Sequence, residues 1–186
     1  MKNTKFQRLV KNYFNFVHKN SPVMATYLGF HEYDHLIGDF SQKAIRRSLS
    51  KFKLFRSELG IRNKELGSLT MEEKIDFELL RSEIEMSILS LTKVRDWQKN
   101  PNFYLEAVLM SIFLLTSRDS VTSKRKLKSI ISRLNKFGPV LSDAKKNLNN
   151  PPKIYTEVAL ETLRGAVVFL ESLKEWGGEK IPKRVR

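Results

Sequence analysis

From Phe6 to Leu173 the apolar residues of this chain recur at intervals of three and four, and no stretch alternates convincingly with period two. That spacing is the signature of amphipathic helices rather than strands. Residues 2–19 carry Phe6, Leu9, Val10, Tyr13, Phe14 and Val17 on one helical face. Ser21-Pro22 restarts the chain as N-cap and first helical residue, and Gly29 closes two turns over Val23–Leu28. Ser41 caps a helix to about Glu58, with Ile45, Leu49, Phe52 and Phe55 facing inward, and a connection runs from Gly60 to Leu69. Thr70-Met71-Glu72-Glu73 is a capping box, and it opens what reads as the longest helix, about 71–97. There the row Phe77, Leu80, Ile84, Ile88, Leu91 is widened by Ile75, Leu79, Met86 and Leu89, which predicts a central helix touched on several sides.

Asn100-Pro101 ends that helix. Residues 103–117 form the most apolar segment and should be well buried. Arg118-Asp119-Ser120 turns the chain into a helix from Ser123 to Phe137, with Leu127, Ile130, Ile131 and Leu134 inward. Gly138-Pro139 kinks or breaks it, Val140–Leu148 continues, and Asn149-Asn150-Pro151-Pro152 is a firm break. The last helix, Lys153–Trp176, carries Tyr155, Val158, Leu163, Ala166, Val167, Leu170 and Leu173, and Gly177-Gly178 ends it before a basic tail. The predicted class is all-α: an irregular bundle of six or seven helices forming one domain over residues 1–186.

The net charge of +14 raises the question of an acidic partner. Residues 1–62 hold 12 basic and 4 acidic groups, 63–117 hold 6 and 9, 118–153 hold 10 and 2, and 154–186 hold 6 and 5. The excess sits in two blocks, most of it on polar helix faces, with its sharpest cluster at Lys124-Arg125-Lys126-x-Lys128. No finger spacing, RNA-recognition motif or helix-turn-helix accompanies it, so the expectation is weak, salt-sensitive polyanion binding rather than sequence-specific recognition. Cysteine is absent, which removes disulfides and thiol chemistry. Charges interrupt the N-terminal apolar stripe, and the run Val108–Leu115 is far short of a membrane span, so the chain reads as cytoplasmic, with no membrane partner.

One long stretch departs from the helical pattern: Leu28-Gly29-Phe30-His31-Glu32-Tyr33-Asp34-His35-Leu36-Ile37-Gly38-Asp39. It spells His31-Glu32-x-x-His35, the pattern in which two histidines share a helix face around zinc and a glutamate acts as base. The glycines at 29 and 38 leave little room for such a helix, and no third ligand stands out. The reading is therefore no metal and no cofactor in this chain, with zinc on His31, Glu32 and His35 as the alternative. Gly-x-Ser-x-Gly and phosphate-binding glycine loops are absent, and no catalytic residue can be assigned.

Several ordered segments carry a resemblance. They are Pro22-x-x-Ala25-Thr26-x-Leu28-Gly29-x-His31-x-Tyr33-Asp34, Asp39-x-Ser41, and Trp97-x-x-Asn100-Pro101-x-x-Tyr104, then Pro139 with Leu141, Ala144-Lys145-x-Asn147-Leu148, and Pro151-Pro152. Over about residues 13–170 the chain resembles the N-terminal part of the family catalogued as domain of unknown function 885. The resemblance implies a portion of a longer, mostly helical, zinc-peptidase-like protein, with carboxypeptidase-like activity as one reading. The family's own H-E-x-x-H helix lies in a C-terminal half that this sequence does not reach, so zinc is expected only in a complete member.

The expected function follows from that resemblance: a helical portion of a metallopeptidase-like hydrolase, forming part of its substrate-cleft wall and inactive alone. Its partners would be the C-terminal catalytic half, or an adjacent polypeptide, and a peptide substrate bound through His31, Tyr33 and Asp34. The alternative is a basic helical module that binds nucleic acid or an acidic protein. The first reading also predicts an uncovered apolar face, near Phe169, Leu173 and Trp176 or beside the His31 loop.

Overall fold

The computed structural model describes residues 5–62, 67, 69–117 and 122–180. Among these the chain is all-α, with no strand. The elements are α1 Lys5–Asn20, α2 Pro22–Tyr27, a 3-10 turn His31–Tyr33, α3 Gln42–Arg62 and α4 Met71–Leu89. A π turn, Ser90–Val94, leads on to α5 Asp96–Lys99, α6 Pro101–Thr116, α7 Ser123–Leu134, α8 Phe137–Asn147 and α9 Lys153–Lys180. The chain divides into two compact units: unit 1 is Met1–Asn20 with Ser41–Arg95, and unit 2 is Ser21–Phe40 with Asp96–Arg186.

Unit 1 is α1, α3 and α4. The amide of Ala44 donates to the hydroxyl of Ser41 at 3.2 Å, so the cap at the start of α3 forms as the sequence requires. The capping box of α4 is also complete: Glu73 N donates to Thr70 Oγ1 (3.2 Å) and Thr70 N to Glu73 Oε2 (3.1 Å). The three helices bury Phe6, Leu9 and Tyr13, then Phe52, Phe55 and Leu59, then Phe77, Leu80, Ile84 and Ile88 in one cluster. Each such side chain contributes roughly 1.5–3 kcal/mol by leaving water. Aromatic edges lock it, with Tyr13 edge-on to Phe55 at 5.4 Å between centroids.

Unit 2 is arranged around α6, which packs against α2, α5, α7, α8 and α9. Asn100 caps α6 by accepting from Asn102 N at 3.0 Å, and Pro101 follows as the first helical residue. Tyr104, Val108, Ile112 and Leu115 are buried along it. Ile37, Val140 and Ala144 close on Tyr104 and Val108, and Ile130 closes on Ile112 and Leu115.

Several expectations are corrected. The central helix is α6, not α4; Ile75, Leu79, Met86 and Leu89 are exposed, so α4 buries only its narrow row. The longest helix is α9, at 28 residues. The 71–97 helix ends early, in the π turn and in Arg95 at φ 58°. Helix α3 runs through Gly60 to Arg62. The break placed at Gly138-Pro139 falls at Asn135-Lys136 instead, which leaves Pro139 in the first turn of α8, where a missing N–H costs nothing. Helix α7 turns a different face inward: Lys126, Ser129, Ile130 and Arg133 are buried, while Ile131 and Leu134 are exposed. In α9, Ala159 and Ala166 are buried, but Tyr155, Val158, Leu163 and Val167 are exposed. Phe169 and Leu173 pack on the core around Ile112 and so are not the open face. Helix α9 also continues through Gly177-Gly178. The turn at 118–120 and the side chain of Trp176 lie outside what is described.

Candidate functional site

Helix α2 is short because Gly29 stops it. Its φ of 91° belongs to the region glycine enters freely. Gly29 N donates to Thr26 O (3.0 Å) and Phe30 N to Ala25 O (2.9 Å), which turns the chain off the helix. One 3-10 turn follows, with Asp34 N donating to His31 O at 3.3 Å. The turn carries Asp34 inward to 2 % exposure and leaves the His31 side chain at 26 %.

A buried carboxylate needs donors. His31 Nδ1 lies 3.0 Å from Asp34 Oδ2, and the Thr26 hydroxyl donates to Oδ1 at 2.9 Å. The same hydroxyl has Pro22 O at 3.2 Å, but its one hydrogen serves the nearer carboxylate. Thr26 Oγ1 in turn accepts from Arg133 Nη2 at 2.6 Å, and Arg133 Nη1 donates to the carbonyl of Ser111. Arg133 is fully buried, and its Nε has no hydrogen-bond partner among the described residues. Burial pushes its guanidinium down to about 10, and the opposing pull of Asp34 keeps it from falling further. The result is a chain of polar contacts, His31–Asp34–Thr26–Arg133–Ser111, joining the loop and α2 to α7 and α6.

Helix α7 holds the loop at two more points. Arg125 Nη2 donates to His31 O (3.1 Å), and the Ser132 hydroxyl to His35 O (2.8 Å). The loop's far end is tied by Asn147, whose Nδ2 donates to Phe40 O (2.7 Å) and to the Tyr104 hydroxyl (3.1 Å). The Tyr104 hydroxyl donates in turn to Trp97 O. Burial raises the Tyr104 phenol above its ordinary value, against the lowering effect of the Asn147 bond.

The chemical consequence falls on His31. A carboxylate can only accept, so the contact takes the hydrogen on Nδ1, and in the neutral imidazole this leaves the lone pair on Nε2. The imidazole is thus fixed in one tautomer and orientation, the role a carboxylate plays behind a metal ligand or a general base. Of the sequence-predicted residues, His31 and Asp34 are brought together and Tyr33, between them in sequence, is half-buried, while Glu32 and His35 are exposed. The His31-Glu32-x-x-His35 motif occupies one 3-10 turn, not the α-helix that sets two histidines four apart on one face around zinc. Among the described residues no group of three or more His, Cys, Asp or Glu could hold a metal ion. None of the helices described is long and apolar enough to cross a membrane.

Sequence reasoning missed Arg133, Thr26 as a hydrogen-bond relay, and Ser111. Lys126, Ser129 and Arg133 share a helix face, but polar residues on one face ordinarily mean solvent. The basic cluster is divided by the fold: Lys126 is buried and Arg125 is committed to the loop, so Lys124 and Lys128 are the exposed cations among those four that carry no such engagement.

The fold recurs in a solved structure from Shewanella oneidensis described as "a putative lipoprotein of unknown function". The likeness has a TM-score of 0.76 at 22 % identity and covers 88 % of this chain but 29 % of that one. The chain therefore spans under a third of the length of that protein. No curated protein matches. A family model matches residues 22–182, which include the whole His31 loop and every residue of its polar chain, and the protein belongs to that family, bacterial protein of unknown function (DUF885).

Proposed function

We propose that this chain is the N-terminal helical portion of a metallopeptidase-like hydrolase, walls part of its substrate cleft and is inactive alone. The observation that carries the reading is the surface of α9. Ile154, Val158, Leu160, Leu163, Val167 and Val168 are all exposed there, between 42 % and 69 %. Six large apolar residues left in water on one helix are surface that more polypeptide would cover. The likeness to 29 % of a longer chain supports the same reading. His31, its Nε2 turned away from Asp34, is the residue that would meet a peptide, with Tyr33 beside it; buried Asp34 is the positioning residue.

The test is an assay of the purified chain for metal-dependent release of C-terminal residues from unblocked peptides, with zinc measured by elemental analysis. Neither turnover nor stoichiometric zinc is expected from the chain alone, and either would overturn the proposal. Adding the polypeptide encoded beside it, if that carries an H-E-x-x-H helix, should produce turnover. Tyr33→Phe should then lower turnover while leaving the denaturant melt of the chain within about 1 kcal/mol of wild type. His31→Ala should lower turnover and stability together, because it also strips a partner from buried Asp34. A Tyr33→Phe variant that loses stability but not turnover would make the loop a structural staple instead.

A further inference from the structure

Helix α4 is apolar on two opposite sides. The Phe77 row fills the core of unit 1. About half a turn away, Met71, Ile75, Leu79, Met86 and Leu89 form a second stripe, each between 44 % and 72 % exposed. Spacings of four, four, seven and three keep these residues on one face. Scattered exposed apolar residues need no explanation, but a stripe more than four turns long does.

The stripe has an acidic edge. Glu72, Asp76 and Glu83 project along one flank and are exposed. On the other flank Glu78 is paired with Arg81, and Glu85 with Arg56 at 3.6 Å. This acidic, apolar face belongs to a chain of net charge +14. Its chemical complement is a basic amphipathic helix, and the chain supplies one. The outward face of α7 carries Ile131 (49 % exposed), Leu134 (36 %) and half-buried Leu127, with exposed Lys124 and Lys128 beside them. It is outward because α7 spends its inner face on Arg133 and Ile130.

We propose that the α4 stripe of one molecule docks the outward α7 face of a second copy, apolar row against apolar row and Glu72, Asp76 and Glu83 against Lys124 and Lys128. The two patches differ, so the contact is heterologous and builds either a closed assembly or an open chain. The inference is independent of the peptidase reading, which concerns α9 and the His31 loop.

Sedimentation equilibrium of the full chain tests it. Self-association is expected, with a dissociation constant that rises about ten-fold or more between low and high ionic strength, because exposed ion pairs are screened. Two charge-reversed variants sharpen the test: Glu72→Lys with Asp76→Lys and Glu83→Lys, and Lys124→Glu with Lys128→Glu. Every altered side chain is exposed, so both should fold, as circular dichroism will show. Each variant alone should associate at least ten-fold more weakly, and mixing the two should restore association, since reversed α4 now faces reversed α7. A chain that stays monomeric at every concentration overturns the proposal. So does association that neither reversal weakens, or weakened association that mixing fails to restore.

Discussion

Unit 1 closes around ten apolar side chains of α1, α3 and α4, and among its described residues the buried polar ones are His18 and Ser48. Unit 2 buries Thr26, Asp34, Asn102, Ser111, Lys126, Ser129, Arg133 and Asn147 among its apolar residues. The difference is one of directionality. Apolar burial rewards removal from water in any orientation, so the unit 1 core tolerates adjustment. A buried charge or hydroxyl is stable only while each partner stands at bonding distance and angle. Unit 2 thereby holds one arrangement of its loop, and the candidate site lies where that arrangement is enforced.

The contrast can be broken experimentally. The largest effect is expected for Arg133→Leu, which strips the shared donor from Thr26 and leaves the Asp34 carboxylate buried without its cation. Removing one partner of such a buried network costs about 3–5 kcal/mol, read from denaturant melts. Asp34→Asn combined with Arg133→Leu should recover part of the loss, because the remaining charge is then gone. If Arg133→Leu cost no more than a methylene in the unit 1 core, the contrast would be empty.

Tyr104→Phe comes next. It removes the donor to Trp97 O and the acceptor for Asn147, and should cost about 1–3 kcal/mol. It also has a signature in pH. Burial holds the phenols of both Tyr104 and Tyr13 above 10.0 in the folded chain. Between pH 10 and those raised values the unfolded chain has already lost the protons the folded chain keeps, so stability falls as pH rises. Their contribution is complete below pH 10 and disappears as pH passes the folded values. Tyr104→Phe should therefore flatten the alkaline limb of a stability-versus-pH curve; an unchanged limb would sink the assignment.

Ile84→Val, in the unit 1 core, should cost only about 0.5–1.5 kcal/mol. The smallest change is expected for Ser132→Ala, which loses one partly solvated bond to His35 O and should cost about 0.5–1 kcal/mol.

How far the sequence could be read follows the same division. In unit 1 the periodic rows found the core: Phe6, Leu9 and Tyr13 on α1, Phe52 and Phe55 on α3, Phe77 to Ile88 on α4. Caps were legible too, because Ser41 and Thr70-Glu73 act through neighbours in sequence, although Asn100 reads in the sequence only as a helix end and not as the cap of α6. The error on α4 came from counting every apolar residue as buried; periodicity reports that a face is apolar, not that anything covers it. On α7 the rule ran backwards. Leu127, Ile131 and Leu134 form the obvious apolar stripe, yet Arg133 is inside, because its partners lie on α2 and α6, far away in sequence. His31 and Asp34 were picked out within one loop, but not their bond to each other. Their dependence on Arg133 was not legible either, since no local pattern encodes a contact between Thr26 and a residue 107 positions later.

That separation also has a meaning in time. The backbone leaves unit 2 after Phe40, completes unit 1 and returns at Asp96. On a ribosome adding roughly 5–20 residues per second, the His31 loop therefore precedes Arg133 by about 5–20 s. Arg125 and Ser132, 94 and 97 residues beyond the groups they hold, arrive in the same late interval. Throughout that wait Asp34 has its neighbours His31 and Thr26 but none of the ties that α7 supplies, so the loop is expected to stay open until α7 has emerged. A protease that cuts stalled chains within residues 30–40 should stop cutting once they extend past α7.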